Sequence, residues 1–352
     1  MRRRRIGGLC RILVFGIALG ACAWMPTDAA KQRIKLTTLA PKGSSFHRSL
    51  QRMGEAWREA SGGNIELIIY AGGIQGGEAA MVERMLINQV QAGLLTAVGL
   101  EEIEPAVSGL QNMPMMFRSL DEVDYVGGEL QPDLERRMLD RGFVVLCWVD
   151  TGWVRFFSRT PVVHVDDLKK IKLFAWAGDT NTIKIMNRAG LTPVPLETAD
   201  ILTGLQTGLI DAVPVPPFYA LASQIYRPAP HMLNLSWAPL VGALVITKAS
   251  WERVPAELRP QLIEAAQRAG VEIKAAGRGE ATEAVATMQT KWGLTVHEVS
   301  SEIEAEWRKA AEEAYPTIRG AIVPEEIFDE VQKLLREYRM DRRAEPAKEP
   351  SP

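Results

Sequence analysis

The chain has 352 residues, of which 47% are hydrophobic and 24% are charged, and its formal net charge is −2. These proportions are close to those of an average soluble globular protein, and the length is sufficient for two domains with hydrophobic cores. The net charge is slightly negative, and no basic segment is interleaved with aromatic residues. We therefore expect no nucleic-acid partner.

The N-terminus has the pattern of a secretory signal, which we predict over residues 1–30. Arg2 to Arg5 are positive, and residues 12–23 form an apolar stretch too short for a membrane span. Two ways of ending the signal compete. "LGAC" resembles a bacterial lipobox and would leave Cys22 lipidated, whereas "ACA" or "DAA" suits cleavage that releases a soluble protein. We therefore expect a periplasmic location, free or tethered to a membrane through Cys22.

The following segments alternate between strand and helix patterns. Strands are predicted in "RIKLTTLA", "NIELIIY" and "LLTAVGL", and helices in "FHRSLQRMGEAWREASGG" and "EAAMVERMLINQVQAG". This βαβαβ alternation predicts an open, mainly parallel sheet with helices packed on it.

A long β-forming stretch then predicts a crossing between two domains. "GFVVLCWVDTGWVRFFSRTPV" occupies residues 142–162 and has a Thr-Gly break near its middle. A second αβ unit follows, with strands in "KIKLFAW", "TPVPL" and "IDAVPVP" and helices in "TNTIKIMNRAG" and "ADILTGLQTG". "HMLNLSWAPLVGALVITKASW" is predicted to return the chain to the first sheet.

The C-terminal part is predicted to be helical. A helix from Pro255 to about Trp292 would exceed about 50 Å, enough to run along both domains. Two amphipathic helices follow over 300–322 and 324–338, and the polar residues 341–352 are predicted to be a disordered tail.

These elements predict a two-lobed α/β periplasmic binding protein fold. Each lobe is a mixed sheet flanked by helices, and the lobes are joined by crossing strands and the long spanning helix. Lobe I is expected to contain residues 31–150 and about 236–270. Lobe II is expected to contain residues 151–235 and about 271–340, including the C-terminal helices.

Several stretches, in order, resemble the DctP-type periplasmic solute-binding proteins of tripartite ATP-independent periplasmic (TRAP) transporters. "AGGIQGGEAAMVERMLINQVQAG" resembles their Gly-led loop and helix, and "GLQNMPMMFRSLDE" resembles their "lPFlFrs" turn. "VDDLKKIKLFAWAG" stands where the family has "dLkGlKiRvpg", and "LTPVPLETADILTGLQTGLIDAV" resembles "GanpvpmpfsEvytALqtGvvDg". The resemblance covers about residues 32–320.

The resemblance implies a protein that closes over a small ligand and delivers it to small and large permease subunits, in some members with a helical-repeat accessory protein. Typical ligands are organic acids held by the Arg of "KiRvp", but Phe174 stands at that position. The polar residues that usually follow "tGvvDg" are replaced by Val213, Pro214 and Val215. We therefore predict a hydrophobic or amphipathic ligand, such as a lipid-like organic acid.

The candidate ligand-binding residues lie at the expected edges of the cleft. Core packing is the alternative interpretation for the aromatic ones, and a surface or capping role for the histidine. The candidates are Phe174, Trp176, Trp153, Val213, Val215, Phe218, Tyr219, His47 and Ser45.

The sequence contains little that indicates an enzyme. Its four histidines, His47, His164, His231 and His297, have no metal-ligand spacing, and no GxSxG motif is present. Cys147 lies in an apolar run without an electropositive neighbour. We therefore expect no catalytic residue, metal or cofactor. The alternative functions are a ligand sensor, a periplasmic lipid-shuttling protein and, least favoured, an enzyme on the same fold.

Overall fold

The computed structural model describes residues 31–344. The predicted signal, with Cys22, and residues 345–352 of the predicted tail lie outside the described residues. Helix α12 includes residues 341–344, so the predicted tail is helical at its start.

Within this range the strands form one five-stranded and one six-stranded sheet. The strands are β1 (Gln32–Thr38), β2 (Ile65–Tyr70), β3 (Ala92–Thr96), β4 (Phe143–Trp153), β5 (Arg155–Ser158), β6 (Lys172–Trp176), β7 (Thr192–Leu196), β8 (Ala212–Val215), β9 (His231–Leu233), β10 (Pro239–Thr247) and β11 (Thr295–His297).

Helices cover both sheets. They are α1 (Ser45–Ala60), α2 (Glu78–Leu86), α3 (Ala97–Glu101), α4 (Leu120–Asp140), α5 (Val165–Leu168), α6 (Thr180–Arg188), α7 (Ile201–Thr207), α8 (Pro217–Ala222), α9 (Lys248–Trp251), α10 (Arg259–Trp292), α11 (Ser301–Ala321) and α12 (Glu325–Ala344), with 3₁₀ turns at Pro105–Leu110 and Thr198–Asp200.

The five-stranded sheet forms lobe I, in the order β2-β1-β3-β10-β4. Strand β1 runs parallel to β2 and β3, as the alternation predicted, whereas β10 runs antiparallel to β3 and β4. The side chains of Ile34 and Leu36 are fully buried beneath Trp57 of α1. The hydroxyl of Ser44 accepts a hydrogen bond from the backbone N–H of His47 and caps the start of α1.

The six-stranded sheet forms lobe II, in the order β11-β9-β5-β8-β6-β7. Strand β6 is parallel to β7 and β8, and β5 is antiparallel to β8 and β9. The predicted break at Thr151-Gly152 lies within β4, which continues to Trp153 in the first sheet before β5 begins at Arg155 in the second. At this break Gly152 has φ 76°, a left-handed conformation that favours glycine.

Helix α10 confirms the prediction of a long spanning helix. Leu262 and Ile273 are buried in the core of lobe I, whereas Ala284 and Met288 are buried in the core of lobe II. The C-terminal helices divide between the lobes, which differs from their predicted common placement in lobe II. Trp307 of α11 packs on lobe II, but α12 packs against α4 because its apolar face, including Val331, enters the core of lobe I.

Two predicted elements have different boundaries. The second helix ends at Leu86, since Asn88 takes a left-handed φ of 59° and turns the chain towards β3. The third strand ends at Thr96, whose hydroxyl accepts a hydrogen bond from the N–H of Val98 at 3.3 Å and starts α3. Residues 97–100, predicted as strand, are therefore helical.

Glycine allows α10 to approach β4 closely. A Cβ atom at Gly277 would lie 2.6 Å from the Cα atom of Thr151, and one at Gly270 would lie 2.9 Å from the Sγ atom of Cys147. Since backbone atoms cannot rotate away, a side chain at Gly277 has to displace the helix. The contact between α10 and the crossing strand therefore depends on these glycines.

We predict that Gly277→Ala lowers the free energy of unfolding by about 1–3 kcal/mol, the usual range for overpacking, although alanine favours helix by up to about 1 kcal/mol. Gly279→Ala is the matched control, because it lies on the exposed side of the same helix with no neighbour within 4 Å of the added Cβ. The control should raise stability in denaturant unfolding. Equal stabilisation by both substitutions would contradict the close packing.

Candidate functional site

A cavity of about 100 Å³ lies between the two sheets. Both lobes, the crossing strand and α10 contribute to its wall, which is mostly aliphatic and aromatic. The lining residues are Thr38, Leu39, Ala40, Pro41, Phe46, Glu78, Leu94, Leu95, Thr96, Val149, Thr151, Val154, Trp176, Thr198, Ile201, Pro214, Val215, Pro216, Phe218, Tyr219, Leu240, Val241, Gly242 and Ile273.

The cavity lies where strands of both sheets end. Thr38 is the last residue of β1 and Thr96 the last of β3, in lobe I. Trp176 ends β6 and Val215 ends β8, in lobe II. In open α/β sheets the carboxyl ends of parallel strands are the usual place for a ligand, because the loops that follow them can diverge around it. The ends of four strands, two from each sheet, therefore meet at this cavity.

Glu78 is the single Asp, Glu, Lys, Arg or His residue among the described lining residues. Its side chain is 4% exposed and accepts hydrogen bonds from the N–H of Thr96 at 2.8 Å, the N–H of Gly99 at 2.9 Å and the Thr96 hydroxyl. Burial raises the pKa of the Glu78 carboxyl, and these donors act in the opposite direction. The three bonds show that Glu78 has a structural role, joining α2 to the start of α3.

Three other polar groups of the lining are buried without a hydrogen-bond partner among residues 31–344. They are the hydroxyls of Thr151 and Thr198 and the indole Nε1 of Trp176.

Four of the predicted ligand-binding residues line the cavity: Trp176, Val215, Phe218 and Tyr219. The ring of Phe218 packs against that of Phe46, with 4.6 Å between the centroids. Lobe II thus supplies an aromatic wall, and lobe I adds Phe46, which the sequence interpretation did not include.

The other apolar candidates lie outside the cavity lining, which corrects their predicted placement. Phe174 is 2% exposed in the core of lobe II and packs edge-to-face on Trp176, with 5.1 Å between the ring centroids. Val213 is fully buried in the same core, because it precedes the end of β8 by two residues. Trp153 packs at the margin of the lobe I core.

The two polar candidates are engaged elsewhere. His47 is 8% exposed, and its Nδ1 accepts a hydrogen bond from the N–H of Gly43 at 3.2 Å. Burial, with Lys42 and Arg48 nearby, lowers the pKa of His47. The hydroxyl of Ser45 donates to Glu280 of α10 at 3.0 Å. Neither residue lines the cavity, since these bonds orient both side chains within lobe I and towards α10.

The sequence interpretation missed Glu78, Thr96, Thr151 and Thr198. Their position at or beside strand ends was the available signal for Thr96 and Thr198. Nothing in the local pattern marks Glu78, whose role depends on the fold of α3. Among the described residues, no cluster of three or more His, Cys, Asp or Glu side chains could hold a metal ion. The described helices include none long and apolar enough to cross a bilayer.

Comparison with known proteins gives consistent matches. The C4-dicarboxylate-binding periplasmic protein DctP of Rhodobacter capsulatus is 21% identical over 315 residues, 88% of this chain and 92% of the relative. The 2,3-diketo-L-gulonate-binding periplasmic protein YiaO of Escherichia coli is 24% identical over 256 residues, 71% of this chain and 76% of the relative.

The fold also matches solved structures. The sugar acid binding protein DctPAm of Advenella mimigardefordensis, in complex with galactonate, superposes with a TM-score of 0.81 at 15% identity. The match covers 88% of this chain and 99% of that one. The family model "DctP: Bacterial extracellular solute-binding protein, family 7" matches residues 36–320. These proteins bind solutes, in agreement with the prediction that the chain is not an enzyme, and the chain belongs to the DctP family of bacterial extracellular solute-binding proteins.

Proposed function

We propose that this protein captures a compact hydrophobic or amphipathic ligand between its lobes and delivers it to the small and large membrane subunits of a TRAP transporter. Family membership supports the binding role. The ligand class is supported by the cavity itself.

The observation that carries the ligand class is the absence of a cation from the wall. Among the described lining residues none is Lys, Arg or His, and the one acidic residue is Glu78. The relatives named above are described with C4-dicarboxylate, 2,3-diketo-L-gulonate and galactonate as ligands, which all carry carboxylates. A carboxylate buried here would lose its hydration without an ion pair to offset the cost.

The size of the cavity limits the ligand. An apolar cavity of about 150 Å³ in another protein holds benzene, and this cavity has about 100 Å³. In this conformation it would hold a ligand of few non-hydrogen atoms, and the predicted lipid-like acid would require the lobes to separate. Burial of roughly 300 Å² of apolar ligand surface at about 25 cal/mol per Å² gives about 7 kcal/mol, which limits the affinity to about micromolar.

Closure is the proposed mechanism of capture and delivery. The ligand contacts walls from both lobes, so it binds the closed form more tightly and shifts the population towards it. The permease subunits, and a helical-repeat accessory protein as a further candidate partner, would recognise that closed form. Tethering through Cys22 remains a prediction.

Native mass spectrometry of the full chain, exported to the periplasm and purified, tests this function. We expect a small apolar molecule to co-purify. We also expect cyclopentanone, but not succinate, to raise the melting temperature. Thermal stabilisation by succinate, without any by cyclopentanone, would show that the ligand class is wrong and leave family membership intact.

Phe174 supports the cavity wall from behind, so we predict an indirect effect of its substitution. Phe174→Leu keeps the core apolar but removes the edge-to-face contact with Trp176, which is worth about 0.5–1.5 kcal/mol. The affinity for cyclopentanone should fall roughly twofold to tenfold in calorimetric titration. Phe157→Leu is the matched control, because Phe157 is fully buried in the same core without lining the cavity. An equal loss of affinity in both variants would contradict the supporting role.

Acidic side chains approach one another where the lobes meet. Burial raises the pKa of Glu101 in α3 to about 8, and the nearby carboxylate of Asp179, which caps α6 in lobe II, acts in the same direction. The amide of Asn112 donates to Glu101 at 3.0 Å. Across the same gap, a Cβ atom at Gly77 would lie 1.9 Å from the Oε2 atom of Glu197. The closed arrangement therefore favours a protonated Glu101.

This pKa predicts a pH dependence. Folded Glu101 retains its proton between its ordinary value of 4.5 and about 8, where the unfolded chain has released it. The contribution to stability is therefore complete below pH 4.5, and it is lost as the pH rises to about 8 at up to about 1.4 kcal/mol per pH unit. Glu101→Gln should flatten this decline when melting temperatures are compared between pH 5 and 9. Glu102→Gln, at the exposed neighbouring residue, is the control and should leave the decline of melting temperature with pH in place. Identical pH profiles of melting temperature for both variants would refute the assignment to Glu101.

A further inference from the structure

Three residues of the lining each carry a buried polar atom with no hydrogen-bond partner among residues 31–344. These atoms are Trp176 Nε1, Thr198 Oγ1 and Thr151 Oγ1. Buried polar groups in native proteins are nearly always paired, so each exception requires an explanation. Glu78, in contrast, accepts three bonds from lobe I and is fully engaged.

The topology brings two of these groups to one edge of lobe II. Trp176 pairs in register with Leu196 across the parallel strands β6 and β7, and the N–H of Ala177 donates to the carbonyl of Leu196 at 3.1 Å. Thr198 follows Leu196 by two residues, in the turn that begins α7. Trp176 and Thr198 therefore stand at neighbouring strand ends, whereas Thr151 approaches from the crossing strand β4.

The chemistry of these groups restricts what can satisfy them. An indole N–H is a donor only, and a threonine hydroxyl can donate or accept. The partner of Trp176 must therefore be an acceptor. An anionic acceptor is disfavoured by the lack of Lys, Arg or His among the described lining residues.

From these observations we infer that the ligand carries a neutral carbonyl-type acceptor on a compact apolar body, and that the Trp176 indole and the Thr198 hydroxyl bind this acceptor. The inference rests on the proposed apolar ligand and specifies its polar end. The wall provides affinity through apolar burial, and the two donors orient the ligand and select its functional group.

Three probes with the same number of non-hydrogen atoms test the inference on the full-length protein: cyclopentanone, methylenecyclopentane and isobutyrate. The first two differ only in an oxygen or a CH₂ group outside the ring. Calorimetric titration at neutral pH should show cyclopentanone binding roughly threefold to tenfold more tightly than methylenecyclopentane, the usual contribution of a hydrogen bond. Isobutyrate should bind weakest, because it is anionic.

Thr198→Val removes one hydroxyl while keeping the apolar shape, whereas Trp176→Phe removes the indole N–H together with part of the aromatic wall. Trp176→Phe should therefore weaken the binding of both probes, and each variant should reduce the ratio of cyclopentanone affinity to methylenecyclopentane affinity. Thr37→Val is the matched control, since the Thr37 hydroxyl is also buried and unpaired but does not line the cavity. Thr198→Val and Thr37→Val should both raise the ligand-free melting temperature, because each removes an unpaired buried hydroxyl, but Thr37→Val should retain the preference.

The outcomes separate this inference from the function on which it rests. Equal binding of the ketone and the alkene, or an unchanged preference in both donor variants, overturns the carbonyl assignment and leaves the apolar ligand standing. Tightest binding by isobutyrate, or no binding by any probe, overturns the apolar ligand as well.

Discussion

The geometry of the cavity depends on the ion pair between Asp150 and Arg278. Asp150 lies on β4 just before the chain crosses between the lobes, and the Arg278 guanidinium of α10 donates to both of its carboxylate oxygens, at 2.8 and 2.7 Å. One of these oxygens also accepts a hydrogen bond from Gly152 at 3.1 Å. The Asp150 side chain is 5% exposed, so a partner lost here would leave a buried, unpaired charge.

This ion pair also extends to the surface. Arg278 donates to Asp124 of α4 at 2.7 and 2.9 Å, and the two carboxylates keep the pKa of Arg278 raised. The crossing turn, the long helix and α4 are thus connected through one guanidinium. Because Gly277 brings α10 against Thr151 immediately beside it, the orientation of the crossing strand is determined by close packing and charge together.

The arginines near the strands that cross between the lobes stabilise the fold. Arg155, the first residue of β5, donates to the Leu235 carbonyl at 2.8 Å and to the Ser236 hydroxyl at 3.0 Å, and burial lowers the pKa of Arg155 to about 10. It thereby connects one crossing segment to the other. These arginines are committed to backbone and to Asp150, and the described lining contains no Lys, Arg or His.

Much of the fold followed from sequence patterns, because strand and helix periods are local. The long β-forming stretch correctly predicted a crossing between the sheets, although the Thr-Gly break lies inside β4 and not between β4 and β5. The long helical pattern correctly predicted α10. The site followed only in part. A period of two places Phe174 and Trp176 on one face of β6, but which ring reaches the cavity depends on where the strand ends against lobe I. The absence of partners for Trp176 and Thr198 is a tertiary property, and no local pattern reports it.

Under the proposed function, the unpaired buried groups make the free energy of closure depend on the chemistry of the ligand. In a closed form without a suitable ligand, each buried unpaired group costs about 1–3 kcal/mol relative to its hydrated state, so the lobes favour separation, which returns these groups to water. A purely apolar ligand offsets this cost only through burial, whereas a ligand with a carbonyl also pairs the donors. Under the proposed function, closure would therefore be coupled to the functional group of the solute as well as to its size.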